Sequence, residues 1–443
     1  MYEIQTDLFH DIFAIIDACP FYKKYYALFS CLDLSDFPDK NYNVGCTGYS
    51  RHAMLRALIV KWLQQYKTIP SLLEELDSRP VLVQLCKFEN GNLPDATVFY
   101  RFLSETKNSL LQKLHEKLNK ALVELGIISL GEFAVDSKPV LAPTRENNPK
   151  NPGRNTTNKK KKPKRNPSAT LCYYSYQQVN GQKDNFIFFW GYRTHVIVSA
   201  EGIPLVEVTL PNSYTDGEVA KRLIKRLKRL KKKKKGAIFL ADSAYDQKEI
   251  YTLIVTTMKS QAFIPVNPRN TGEEKTFGPH GLPLCEAGLE MKSSGVWTET
   301  YKTGNTQRTR AKFRCPLKAS AKTRKKYPDG CPCGNPRFSE GKAYGCTKYL
   351  DLTDDERSRV PRDTKLFKDT YKRRQVVEQY FSRFGDRVVE QTTHYKLRSV
   401  KNQITIGHIT MSLVALAACF LQKQDKIRCF RTFAHDACLP LAG

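Results

Sequence analysis

Negative charge is scarce in this chain of 443 residues: 44 Asp and Glu stand against 72 Lys and Arg, a formal net charge of +28. The deficit makes a polyanion such as nucleic acid the favoured partner, although ribosomal and membrane-surface proteins share this balance. The opening stretch MYEIQTDLFHDIF lacks a basic segment followed by an apolar run and cleavage site, so no secretory signal is expected. A long unbroken apolar run is also missing. The nearest approach, ITIGHITMSLVALAACFL, is interrupted by Gly407, His408, Thr410 and Ser412, so it reads as a buried helix and no membrane association is expected. The 13 cysteines are an odd number, which leaves no complete disulfide framework. They read as reduced thiols of a cytosolic protein, some of them open to metal.

The length calls for two or more structural units. Residues 1–126 read as a helical domain. In SRHAMLRALIVKWLQQY the residues Met54, Leu55, Leu58, Ile59, Trp62 and Leu63 recur at three- and four-residue spacing behind Ser50, a candidate N-cap. The period changes at EFAVDSKPV, a short apolar stretch with the character of a buried strand. Thr144 to Ser168, rich in Asn, Pro and Lys, reads as a mobile loop. Two strands follow in NFIFFWGYRTHVIVSA and PLVEVTL. DGEVAKRLIKRLKRLKKKKK then forms an amphipathic helix with Val219, Leu223, Leu227 and Leu230 inward. AIFLADSAYD is a strand and turn, QKEIYTLIVTTM a helix and QAFIPV a strand. From 267 to 361 the sequence is turn-rich and cysteine-bearing, and YKRRQVVEQYFSRF restores a helical period.

The expected fold class is therefore α/β. It is a ribonuclease H-like mixed sheet flanked by helices over 127–443, with an all-α N-terminal domain and an insertion at 267–361 before the last catalytic helix.

In such a layout, acids at strand ends can meet. Asp136 follows the apolar FAV of the first strand, and Asp242 follows AIFLA of the fourth. Glu378 shares a helix face with Tyr371 and Arg374 at spacings of three and four. Taken singly, the aspartates could be turn caps and Glu378 a surface partner of Arg374. Their order on two strands and a late helix argues for a joint role, since paired divalent metals need several hard oxygen ligands.

These blocks resemble prokaryotic insertion-sequence transposases of the DDE type, and the resemblance covers nearly the whole chain. SRHAMLRALIVKWL with LPDATVFYRFLSE is similar to their N-terminal helical domain. AVDSKPV, GYRTHVIVSAEGIPLVEVTLPNSYTDGEVA and FLADSAYDQKEIY resemble the blocks around their two aspartates, and YKRRQVVEQYFSRF resembles the glutamate block. The resemblance implies a catalytic, metal-binding triad of Asp136, Asp242 and Glu378 holding Mg²⁺, with Mn²⁺ as a substitute. It implies cleavage at element ends and strand transfer into target DNA by two-metal phosphoryl transfer. The implied partners are double-stranded DNA, as terminal inverted repeats and target, and a second copy of the chain in a homodimer on DNA. The implied location is the cytoplasm, at the nucleoid.

Arg374 and Tyr371 are the phosphate contacts this likeness suggests. Arg193 and His195 lie in a block close to the family's active site, where His195 reads either as a neighbour of the scissile phosphate or as a strand histidine. The fuller family signature places a lysine after a gap of six residues from the glutamate. Here Gly385 occupies that place, and Arg383 and Arg387 flank it as candidate substitutes. In the insertion, Cys315, Cys331, Cys333 and Cys346 could close a structural Zn²⁺ site or remain free thiols, with Cys285 as a spare. The runs Lys159 to Arg165 and Lys225 to Lys235 could contact DNA backbone, as could Arg51, Arg56, Lys61 and Arg101 of the helical domain. Rival readings are a transposase-derived nuclease that never joins strands, a non-catalytic DNA-binding protein, and a structural RNA-binding basic protein, which would explain the charge but not the order of the acids.

Overall fold

The computed structural model describes residues 12–39, 48–148, 162–176, 185–230, 236–267, 276–300, 307–339, 344–352, 356–362, 364–385, 392–430 and 432–434. The chain divides into two compact units: 1–264 with 362–443, and 265–361.

Among the described residues, the first unit opens with seven α-helices: α1 (Ile12–Ala18), α2 (Pro20–Ser30), α3 (Arg51–Leu63), α4 (Ile69–Asp77), α5 (Pro80–Cys86), α6 (Ala96–Glu105) and α7 (Asn108–Glu124). Ser50 caps α3, its Oγ accepting the Ala53 N–H at 3.2 Å. The helix is buried on all sides from Ala53 to Leu63, not along a single face. That corrects two expected DNA contacts. Arg56 and Lys61 are 7% and 6% exposed, and the Lys61 ammonium donates to the carbonyls of Tyr66 and Lys67 at 2.7 and 3.2 Å. Burial lowers the Lys61 pKa to about 8.

Next come β1 (Glu132–Leu141), β2 (Thr170–Tyr176), β3 (Asn185–Ser199), β4 (Pro204–Pro211), α8 (Asp216–Leu230), β5 (Ile238–Leu240), α9 (Lys248–Thr252) and β6 (Gln261–Phe263). The sheet runs β2-β3-β1-β5-β6, with β4 also on β3. β3 is antiparallel to β1, β2 and β4, and β5 is parallel to β1 and β6, so the sheet is mixed and has the ribonuclease H-like order. On α8 the four expected inward residues Val219, Leu223, Leu227 and Leu230 are buried.

Strand β2 does not appear in the sequence reading. The expected loop before it is pinned at both described ends. Asn147 Nδ2 donates to the carbonyls of Ala142 and Trp190 at 2.7 and 2.6 Å, and the fully buried Asn166 accepts from the Tyr192 hydroxyl. Residues 149–161 lie outside the described set.

α10 (Lys365–Lys372) and α11 (Gln375–Gly385) precede α12 (Leu397–Phe420). The most apolar window of α12 is 83% buried within the protein, which marks a core helix. A polar seam joins α12 to α6, α7 and β4. Asn402 Nδ2 donates to the carbonyls of Leu103 and Thr106, both at 2.8 Å. Ser412 Oγ donates to Asn119 Oδ1 at 2.9 Å, and Asn119 Nδ2 donates to Pro204 and Leu205, both at 3.0 Å. Buried polar groups bonded this fully fix register, because any slip would leave them unpaired.

The second unit is built on a three-stranded antiparallel sheet of β7 (Lys292–Thr300), β8 (Gln307–Arg314) and β9 (Thr347–Asp351). Cys285, Met291, Ala311 and Phe313 form a small core there.

Candidate active site

β1 is buried through Phe133, Ala134 and Val135 and becomes half-buried at Asp136. Parallel pairing sets Ala134 beside Leu240 of β5. Asp136 and Asp242 each lie two residues beyond that pair, so both acids sit just past the end of the β1–β5 pairing, Asp136 within β1 and Asp242 after β5. Asp242 Oδ1 accepts the Ala244 N–H at 2.9 Å, capping the turn Ser243–Tyr245. The turn-cap role and membership of the acid cluster therefore coexist. Burial first, then the Asp136 carboxylate, pushes the Asp242 carboxyl up to about 6.

Glu378 lies in the first turn of α11, one helical turn beyond Arg374. The Arg374 guanidinium spans two of the acids: Nη1 donates to Asp136 Oδ2 at 2.8 Å and Nη2 to Glu378 Oε1 at 2.7 Å. Burial works against its charge, but the hydrogen-bonded Asp136 carboxylate outweighs it and raises the Arg374 pKa. Tyr371 stacks on Phe367, with ring centres 5.9 Å apart, and hydrogen-bonds Arg374; burial raises its phenol pKa. Asp136, Asp242, Glu378, Arg374 and Tyr371 are thus brought together from β1, the β5 end, α10 and α11.

A fourth carboxylate, absent from the sequence reading, adjoins this group. Successive strand residues face opposite sides. While Asp136 meets Arg374, Ser137 Oγ donates to Asp216 Oδ1 of α8 at 3.3 Å. Asp216 also lies 3.6 Å from Arg193 Nη1 and 3.5 Å from His195 Nδ1. Burial raises the Asp216 pKa, with Arg193 opposing. The available signal was an acid at the start of a helix that is otherwise basic.

The other expected contacts fare differently. Arg193 is half-buried and donates to Ser137 Oγ at 3.3 Å and Cys172 Sγ at 3.4 Å. His195 is 1% exposed, and burial with Arg193 beside it lowers its pKa to about 3. It is a neutral core histidine with no surface to offer DNA, so of its two readings the burial favours the strand histidine. Arg383 is committed elsewhere, donating to the carbonyls of Gly202 at the β3–β4 turn and of Gln379 at 3.3 and 3.2 Å. Gly385 is buried at the end of α11. Arg387 lies outside the described residues, as do Lys159 to Lys161 and Lys231 to Lys235. Lys162, Lys164, Arg165, Lys225, Lys228 and Arg229 of the two basic runs are exposed. Cys315, Cys331, Cys333 and Cys346 share the second unit with Cys285.

Among the described residues, no three His, Cys, Asp or Glu side chains already converge tightly enough to hold a metal ion. At the acid cluster the physical reason is visible: a guanidinium lies between two of the carboxylates. A set of hard oxygen donors that raises one member's pKa and recruits a cation has the chemistry a divalent metal needs.

Comparison with known families agrees with this geometry. A family model described as "Transposase DDE domain" matches residues 130–413, which include all three acids. A second, described as "Transposase domain (DUF772)", matches residues 3–105 in the helical region. No curated protein matches the chain. With more than half its length matched by the first model, the chain belongs to the DDE-type transposases of insertion sequences.

Proposed function

We propose that Asp136, Asp242 and Glu378 form the metal-binding catalytic triad of this transposase, holding Mg²⁺ during cleavage of element ends and strand transfer. The observation that carries the reading is the paired emergence of Asp136 and Asp242 beyond Ala134 and Leu240, with Glu378 tied to Asp136 through Arg374. When bound, the paired ions supply an activated hydroxyl nucleophile and stabilise the leaving oxygen.

The chain's own residues prepare that chemistry. Asp242 loses its proton above about pH 6 and completes the donor set. Arg374 neutralises Asp136 and Glu378 in the free protein, then turns its fork of donors to a DNA phosphate when they take up metal. Tyr371, hydrogen-bonded to Arg374, steadies that movement. Arg193, held by Asp216 and Ser137, lines the neighbouring edge of the site. Arg101 and the exposed lysines of the two basic runs add salt-dependent affinity for DNA backbone. The active form is a homodimer that pairs two terminal inverted repeats beside the nucleoid.

The test uses duplexes from the sequence flanking the coding region, some pre-cut to leave a 3′-hydroxyl. Mg²⁺-dependent cleavage of the intact ends and joining of the pre-cut ends to target DNA are expected. Cleavage without joining would reduce the protein to a nuclease, and neither activity would overturn the reading.

A further inference from the structure

The second unit gathers five of the chain's cysteines around its small core. Cys285 and Cys315 are 6% and 1% exposed, and Cys333 and Cys346 pack against the core that contains Cys285. The Sγ atoms of Cys285 and Cys333 are 3.5 Å apart. The edge of a tetrahedral Zn–thiolate site is about 3.8 Å for Zn–S bonds of about 2.3 Å, so this pair needs to open by only a few tenths of an ångström. Cys346 hydrogen-bonds Cys315 through their side chains, and Cys285 and Cys331 lie close enough to act on its charge. The backbone ties the second pair as well, with the Cys315 N–H donating to the Cys346 carbonyl at 3.0 Å.

Two further features suit sulfur that binds metal. The Ala287 N–H donates to the Cys333 sulfur, an outer hydrogen bond of the kind that orients metal ligands. Gly345, at φ +62°, allows the close approach, because a Cβ there would lie 2.8 Å from the Cys315 Cβ. A zinc tetrathiolate carries two net negative charges, and the Lys348 ammonium beside Cys285, bonded to the Leu284 carbonyl at 2.7 Å, offsets part of them. The Cys333 thiol donates to Cys285 Sγ while Cys346 bonds Cys315, so the sulfurs are held as two separate pairs. This accounts for sulfurs that cluster without yet converging on a point.

We propose that Cys285, Cys315, Cys333 and Cys346 bind one structural Zn²⁺, with Cys331 as a neighbour that is not required. Binding forms four Zn–S bonds and releases four protons to solvent, with no change of oxidation state. The sequence pattern pointed to Cys331, which hydrogen-bonds Cys333 through their side chains; the proposal takes Cys285 in its place because Cys285 is buried in the core and Cys331 is only half-buried. The proposal is independent of the chemistry at the acid cluster.

The full-length protein, purified under thiol reductant without chelator, is expected to carry one zinc per chain by elemental analysis, released stoichiometrically by a mercurial. Cys285→Ser and Cys315→Ser should abolish retention, and Cys331→Ser should keep it. Less than about half an equivalent in the wild type would overturn the site. So would full retention in Cys285→Ser with loss in Cys331→Ser, or a Cys285–Cys333 disulfide in the reduced protein. If serine variants fail to fold, Co²⁺-exchanged wild type still decides. An intense tetrahedral thiolate spectrum supports the assignment, and a weak octahedral one refutes it.

Discussion

The acid cluster on the mixed sheet and the cysteine cluster of the second unit are two donor sets built to opposite specifications. The first uses hard oxygens that are half-buried or exposed, and the Arg374 side chain supplies positive charge between two of them. The second uses soft sulfurs around a small apolar core, where the Cys333 thiol bonds Cys285. On the two proposals above, the difference follows from what each metal would do. Ions that meet substrate must arrive and exchange, so their site keeps solvent and a replaceable counter-cation. An ion that replaces a hydrophobic core can be enclosed.

The largest effects should come from deleting the acids. Asp136→Asn, Asp242→Asn and Glu378→Gln should each cut Mg²⁺-dependent end cleavage by about 10³-fold or more, while band-shift binding to the same DNA persists. An equal loss from Cys285→Ser in a protein that stays folded would break the comparison by making the cysteine cluster catalytic.

Next comes Arg374→Ala. Cleavage should fall by about 10²-fold with the phosphate contact. Mn²⁺ should nevertheless bind the DNA-free variant several-fold more tightly by spin resonance, because no guanidinium competes for Asp136 and Glu378. Weaker Mn²⁺ binding would show that Arg374 organises the acids and does not hold the place of a cation.

A smaller effect separates the sites by pH. Asp242 has a folded pKa of about 6, raised above its ordinary value of 3.8. The folded state therefore binds the extra proton between those values, and stability falls as pH rises through that window. Asp242→Asn should stabilise the metal-free protein at pH 8 by about 1–3 kcal/mol, with solvent screening favouring the lower figure. The gain should vanish near pH 4, where wild-type Asp242 is already neutral. Thermal melts at the two pH values measure it, and a gain that persists at pH 4 would assign it to another cause.

The smallest difference expected is that of Cys331→Ser, whose melting temperature and zinc content should match the wild type.

Much of the fold was legible because its signals are local. Ser50 before an apolar run marks a capped helix, AVD marks a strand that leaves the core at its acid, and FLAD a buried strand that stops just before one. The α12 run is apolar enough to be a core helix yet too interrupted to suggest a membrane span. Strand β2 escaped because it follows a segment of Asn, Pro and Lys with no periodicity and gains its order only from pairing with β3. Arg56 and Lys61 misled because charge on a helix suggests solvent, whereas their long stems are enclosed by packing that only tertiary structure reveals. Asp216 and Cys285 share a reason. Each acquires its role from neighbours distant in sequence, Ser137 and Arg193 for one and Cys333 for the other. Asp136, Asp242 and Glu378 are equally distant from one another, and they stood out because a family spacing was there to be matched.

The central claim is that these three acids act as one metal site. It is tested most directly by replacing Asp242 with cysteine and assaying end cleavage in Mg²⁺ and in Mn²⁺, since a thiolate is a poor ligand for the harder ion. The account predicts no cleavage in Mg²⁺ and partial recovery in Mn²⁺. Cleavage at wild-type rate in Mg²⁺ would contradict it.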